Sequence, residues 1–325
     1  MRNIRKATLW VIEVFVLTGV VLLVFPSVNY GQGTSRDINR ENASQKTIET
    51  KPVLKWVGCG VTKEAFMHEL AVAYTKKTGV RIQIEGGGAT RGIRDTAALK
   101  SDMGGSCRHI LPIAEEENVR LIQVAWDALV VIVNRGNPVS GITIEQLKSI
   151  LKGGISNWKD LGGPDRKIKL VIREQGPGGK ISGVGMMTRE LVFFDREMDY
   201  TDDAIKMESS GPLEEYVQDN DMTVGITGVS SARRRNVKLL HLNGVAPTYE
   251  NIASGRYPLF RPLYLVLPKK TNGKRNAEDF VSFVLSDEGQ EILKLYGTVT
   301  LEDGAGLWKK YRDIMFKAGV RMGEY

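Results

Sequence analysis

The sequence predicts an α/β protein of two lobes, and three observations carry that prediction. The chain has 325 residues, and at about 150 residues per domain that length suggests roughly two domains. Short β-branched runs alternate with amphipathic helical patterns, the spacing of βαβ units and a parallel sheet. Glycine-rich loops follow three of the strands and open the helices after them. The composition agrees, because 42% hydrophobic, 26% charged and 7% aromatic residues describe an ordinary globular body. That apolar content excludes disorder over most of the chain, and a single long apolar run excludes a multi-span membrane protein.

The N-terminus is set apart from this body. Arg2, Arg5 and Lys6 precede an apolar stretch at residues 7–25 that is interrupted by Glu13 and ended by Pro26. A basic flank before an apolar run is the layout of a secretory signal. The run is also long enough for one membrane span of about 20 residues, although Glu13 costs a central position about 2.5–3.5 kcal/mol. Residues 1–30 are therefore read as a signal peptide or an N-terminal membrane anchor, with residues 31–51 as a polar linker. Basic residues on the near side leave the rest of the chain outside the cytoplasm.

Within the body, residues 53–57 form a first strand that breaks at Gly58-Cys59-Gly60. Residues 63–78 follow as a helix with Phe66, Leu70, Ala73 and Tyr74 on one face and Gly79 as its stop. A strand at 81–85, a helix at 90–100 and a strand at 102–106 complete the first set. Residues 129–133 are a continuous apolar run and so a buried strand. The second set has a helix at 144–151, a strand at 168–172, helices at 181–194 and 213–217, and a strand at 223–226. Residues 263–267 are a further apolar run, and 277–296 carry a long helical pattern.

Charge and cysteine usage narrow the chemistry. Lys+Arg 45 against Asp+Glu 38 leaves +7 and a pI near 9.2, which suits an anionic partner. Nucleic acid is not expected: no basic helix carries interleaved aromatics, and Arg233-Arg234-Arg235 is short. Two cysteines exclude a disulfide framework and a four-thiolate zinc site within one chain. The glycine loops at 58–62, 86–90 and 176–179 lie where open α/β sheets bind ligands, beyond the strand ends. Helix N-termini there present unpaired N–H groups that favour anions. Arg173, just before the third loop, adds a planar cation suited to an oxyanion; a surface ion pair with Glu174 is its other reading. No Ser-His-Asp set is recognisable, and His68, His109 and His241 lack metal-ligand spacing. Glu214 and Glu215 are adjacent and cannot share a helical face. Catalysis, metal and cofactor are not expected.

Several segments resemble the phosphate-type substrate-binding proteins of ABC importers. They are Asp127-Ala128-Leu129-Val130-Val131-Ile132-Val133-Asn134, Asn137-Pro138-Val139 and Ile142-Thr143-Ile144-Glu145-Gln146-Leu147. Residues 153–163 around Asn157-Trp158, the pair Arg173-Glu174, and the 257–264 segment through Arg261 join them. The resemblance runs from about residue 53 to 300. It implies a two-lobed periplasmic-binding fold of the second type, each lobe a mostly parallel sheet with helices on both faces. Lobe 1 would comprise 52–134 and 261–325, and lobe 2 would be 135–260. The implied protein is a monomer that captures phosphate for importer membrane subunits, periplasmic or extracytoplasmic and held at the inner membrane if the N-terminal segment is uncleaved.

The implied site is Cys59, Gly60, Thr62, Gly88, Ala89, Thr90, Ser106, Cys107, Arg173, Gly178 and Gly179. It departs from the family pattern. Where the family has hydroxyl residues, this chain has Cys59, Ala89 and Pro177-Gly178-Gly179, while Arg173 is kept. Each hydrogen bond to a charged group is worth roughly 1.5–3 kcal/mol, so the losses weigh heavily. Two readings stay open: backbone N–H groups, Thr62, Thr90, Ser106 and Arg173 still bind an oxyanion, or the scaffold serves another ligand, such as a soft metal or a thiol-contacted solute, or a sensor. Cys59 and Cys107 fall on loops after strands that neighbour each other in this fold, so they are expected close together. A disulfide, a buried thiol pair and a ligand contact are the alternatives.

Overall fold

The computed structural model describes residues 52–175, 181–270 and 275–321. The chain from Thr50 onward is one unit, and the expected export segment and linker lie outside the described residues. Strand β1 (Val53–Gly58) buries Leu54 and Trp56. The helical rod after it consists of α1 (Gly60–Thr62), a π-helical turn at Lys63–Met67 and α2 (His68–Thr78). It begins three residues earlier than the apolar pattern suggests, because Cys59 caps it, and it ends at Gly79 with φ 77°. Strand β2 (Arg81–Gly86), α3 (Gly88–Ala97) and β3 (Met103–Ser106) follow. β1 lies between β2 and β3 and is parallel to both.

The expected strand at 129–133 is the end of a much longer one, β4 (Val119–Asn134), of 16 residues. Arg120, Gln123 and Asp127 interrupt the apolar pattern of its first half and hide it. Next come β5 (Gly141–Ile142), α4 (Ile144–Lys152), β6 (Lys169–Arg173) and α5 (Gly183–Thr188), which runs into a π-helical turn at Arg189–Phe193. They are followed by β7 (Ile205–Met207), α6 (Ser210–Asp219), β8 (Thr223–Gly228) and α7 (Val229–Ala232). The remainder is β9 (Val237–Leu239), β10 (His241–Leu242), α8 (Tyr249–Ala253), β11 (Phe260–Pro268), α9 (Arg275–Leu285), α10 (Asp287–Leu295) and α11 (Leu307–Lys317).

The main sheet has the order β2-β1-β3-β11-β4-β8-β6-β7, with β9 also on β4. Pairs that involve β4 or β11 are antiparallel, and the flanking pairs are parallel. β4 serves both halves: residues 119–128 pair with β11, while 129–134 pair with β8 and β9. The change of partner falls between Ala128 and Leu129, inside the strand, whereas the sequence reading set a lobe limit at 134. The single helix expected at 277–296 is two, because Ser286 turns extended (φ −71°, ψ 163°) and its hydroxyl accepts from Gly289 N. Helix α11, absent from the sequence reading, buries Leu307, Tyr311 and Met315 at helical spacing. Trp126 of β4 meets Phe260, Trp308 and Tyr311 edge-to-face at 6.0, 5.5 and 5.9 Å. These contacts tie the C-terminal helix to the crossover strands.

Candidate functional site

The ends of β1 and β3 bring the two cysteines together. Gly58 and Gly105 are register partners, and Cys59 N donates to Gly105 O at 3.2 Å. Cys59 Sγ accepts from Thr62 N at 3.4 Å, and Thr62 Oγ1 donates to Cys59 O at 3.0 Å. Both cysteines are buried, at 5% and 1% exposure, and both are free. The disulfide considered from sequence is therefore not formed in this structure. The neighbouring Cys59, helped by Arg261 and Arg108, holds Cys107 down at about 6 against burial and Asp127. Burial and the same partner push Cys59 up.

Three buried guanidinium groups act on this pair. Arg173 ends β6 at 5% exposure and donates to Met207 O. Among the described residues it makes no ion pair, and its Nε has no partner. Glu174 is engaged elsewhere, by Arg189 and by Lys206 at 3.3 Å, so the surface-pair reading of Arg173 does not hold. Burial lowers Arg173 to about 10, opposed by Cys107, Cys59, Glu214 and Glu208, and it stays charged at neutral pH. Arg261, fully buried at the start of β11, meets Asp127 Oδ2 at 3.3 Å. Its Nε and Nη1 have no partner among the described residues. Asp127 Oδ1 is taken by Ser230 N at 3.1 Å and Ser230 Oγ at 2.7 Å. Arg108 forks onto Glu116 at 2.8 and 2.7 Å, with its Nε left over. A buried donor left unmade costs about 1–3 kcal/mol. Buried donors of this kind suit an anion.

The other expected residues divide. Ala89 is buried at 1% exposure. Gly88 sits at φ +85°, where only glycine is comfortable, and a β-carbon there would lie 2.6 Å from Gln175 Nε2. A β-carbon on Gly60 would lie 3.6 Å from Ser210 Cβ. The strand ends of the first half thus face groups of the second half across a closed seam. The three hydroxyls are turned onto the protein. Thr62 bonds Cys59, Thr90 Oγ1 donates to Ile181 O at 2.7 Å and accepts from Arg108 at 3.0 Å, and Ser106 Oγ donates to Arg108 O at 2.7 Å. Gly178 and Gly179 lie outside the described residues. Sequence reasoning missed Arg108, Asp127 and Arg261 as parts of the site. The signal was present for two of them, since a charge inside an otherwise apolar crossover strand has to be paired.

A two-lobed α/β body that buries anion-suited groups between the halves of its sheet has the build of a ligand-capturing binding protein. The chain belongs to the PBP superfamily: the PBP superfamily domain matches residues 47–288. The phosphate-binding protein PstS of Borreliella burgdorferi is 26% identical over 245 residues, 74% of this chain and 88% of that protein. PstS of Bacillus subtilis is 27% identical over 219 residues, 65% of this chain and 68% of its own length. Among solved structures, a phosphate ABC transporter substrate-binding protein from Clostridium perfringens with bound phosphate superposes with a TM-score of 0.68. It is 28% identical and covers 76% of this chain and 99% of its own. An ABC-type phosphate transport receptor from Vibrio cholerae gives a TM-score of 0.59 at 29% identity, over 76% and 99%.

Proposed function

We propose that this chain is an extracytoplasmic solute-binding protein that captures phosphate or a related oxyanion between its lobes and delivers it to ABC importer membrane subunits. It acts as a monomer, without catalysis, exported by its N-terminal segment and anchored by it where that segment is retained. The observation that carries the reading is Arg173, a buried cation with an unpartnered Nε and no carboxylate in ion-pair range among the described residues. Its neighbours support the sign of the ligand: Asp127 and Glu116 are already held by Arg261 and Arg108, so Arg173 is the cation left without a carboxylate of its own. A non-catalytic role is supported by the carboxylates being locked in ion pairs or, as with Glu214, bonded to Thr227 and Ser231.

Isothermal titration of the exported body with phosphate and sulfate tests the reading. Arg173→Lys keeps the charge but loses the planar fork, and the expected result is a phosphate affinity weaker by about tenfold or more in a protein that still folds. An unchanged affinity would remove Arg173 from the site, and no heat with any oxyanion would remove the proposal.

A further inference from the structure

A cavity of about 510 Å³ opens where the loop after β3, the start of β4, the end of β11 and the turn after α11 meet Arg196. Its volume lies in the range of small-molecule sites, about 300–1,000 Å³. None of the groups expected to hold an oxyanion lines it. Leu111, Val119 and Val320 give it an apolar wall, and His109, Lys269 and Arg321 stand among them. Glu116 and Glu117 are its carboxylates. Glu116 is held by Arg108 at 2.7 Å, and Arg196 by Glu190 at 2.7 Å. Lys269 and Arg321 are exposed and make no ion pair among the described residues, so these two cations face Glu117 alone. His109 adds an independent sign. Arg196 Nη2 approaches its Nε2 at 2.9 Å, and a guanidinium can only donate. Nε2 is therefore the acceptor, and the ring proton sits on Nδ1. That Nδ1 is buried without a partner among the described residues, in a residue 2% exposed.

We propose that this cavity is a second ligand site, which takes a small organic acid: a carboxylate carried on an apolar body. The carboxylate is drawn to Lys269 and Arg321 and brings the acceptor that His109 lacks, while the body lies on Leu111, Val119 and Val320. An apolar wall with a few convergent polar groups is the usual build of such a site. Its walls come from both halves of the molecule. Arg196 follows the π-helical turn at Arg189–Phe193, whereas Val119 and Lys269 flank the paired strands β4 and β11. An occupant therefore touches both halves and favours the arrangement in which they are together. The site stands apart from the oxyanion reading above and does not depend on it.

Calorimetric titration of the full chain with naphthoate tests the site, with naphthylmethanol and naphthylmethylamine as its neutral and cationic matches. The expected result is one naphthoate per chain, bound about tenfold or more tightly than either match. Lys269→Glu and Arg321→Glu, both at exposed positions where folding is not at stake, should each weaken naphthoate about tenfold and leave phosphate affinity unchanged. The His109 ring resonances should shift when naphthoate binds, and saturating phosphate should not displace it. Failure to bind naphthoate overturns the proposal, as does an amine that binds as well as the acid. Displacement by phosphate would put naphthoate in the oxyanion cleft, and unmoved affinities in both charge variants or unmoved His109 resonances would put it elsewhere on the surface; each of these also overturns the site. A chain that binds naphthoate in this way but gives no heat with any oxyanion would overturn only the reading of the cleft.

Discussion

Gly183 is one residue at which the second half of the molecule presses on the first. A β-carbon there would meet Cys107 Sγ at 2.8 Å and Ala89 Cβ at 3.0 Å, and both neighbours are buried. Overpacking of this sort costs about 1–3 kcal/mol. Gly183→Ala should weaken phosphate binding about tenfold and leave the melting temperature of the ligand-free protein nearly unaltered. A variant that binds normally would show that the seam has slack. The same scale explains what could be read from sequence at the site. Arg173 stood out because it ends an apolar strand beside a glycine loop. The hydroxyls of Thr62, Thr90 and Ser106 carried no such mark, because whether a hydroxyl faces a ligand or its own backbone depends on loop geometry that spacing does not encode.

Elements with a strong local signal were legible, and the misses have local causes. Helix α4 is the clearest success: Thr143 and Gln146 form a capping box, and Gly153 ends the helix at φ 82°. Removing that cap with Thr143→Ala should lower stability by about 1 kcal/mol, read as a shifted urea midpoint with phosphate affinity unchanged. An unmoved midpoint would show that tertiary packing alone holds α4. Ser286 gives the opposite lesson, since the apolar pattern at 277–296 continues through it and only the extended backbone reveals two helices. The first half of β4 was hidden for a similar reason. Asp127 is buried there at 1% exposure because Arg261 and Ser230 satisfy it, and those partners lie more than a hundred positions away in sequence. The alternation of strands and helices was local and visible; the partner that excuses a buried charge was not.

At the scale of the whole molecule, His109 and Glu190 join the two halves through Arg196, which approaches His109 Nε2 at 2.9 Å and Glu190 Oε1 at 2.7 Å. Burial, with Arg196 and Arg108 nearby, lowers His109 from 6.5 to about 3. Burial raises Glu190 from 4.5 to about 7. The folded state therefore refuses a proton at His109 that the unfolded chain takes below 6.5, and stability is lost from there down to about pH 3. It takes a proton at Glu190 that the unfolded chain takes only below 4.5, and stability is gained as pH falls from about 7 to 4.5. The two slopes cancel between 6.5 and 4.5, and the loss from His109 emerges below. His109→Gln should diverge from the parent protein by about 1.4 kcal/mol per pH unit below 6.5, in denaturant titrations across pH; parallel curves would exclude the pair as a pH element. The shared strand β4 has a different consequence, for the order in which the chain is made. Ser106 finds its antiparallel partner at Tyr264, and residues 119–128 find theirs in β11, with Trp126 also bridged to Val299. A nascent chain stopped anywhere before residue 260 holds β3 with one open edge and β4 half-matched. Pairing across so long a stretch of chain is slow, so the first half cannot close into a finished sheet until synthesis is nearly over. Until then the unpaired strand edges stay open to pairing with other chains.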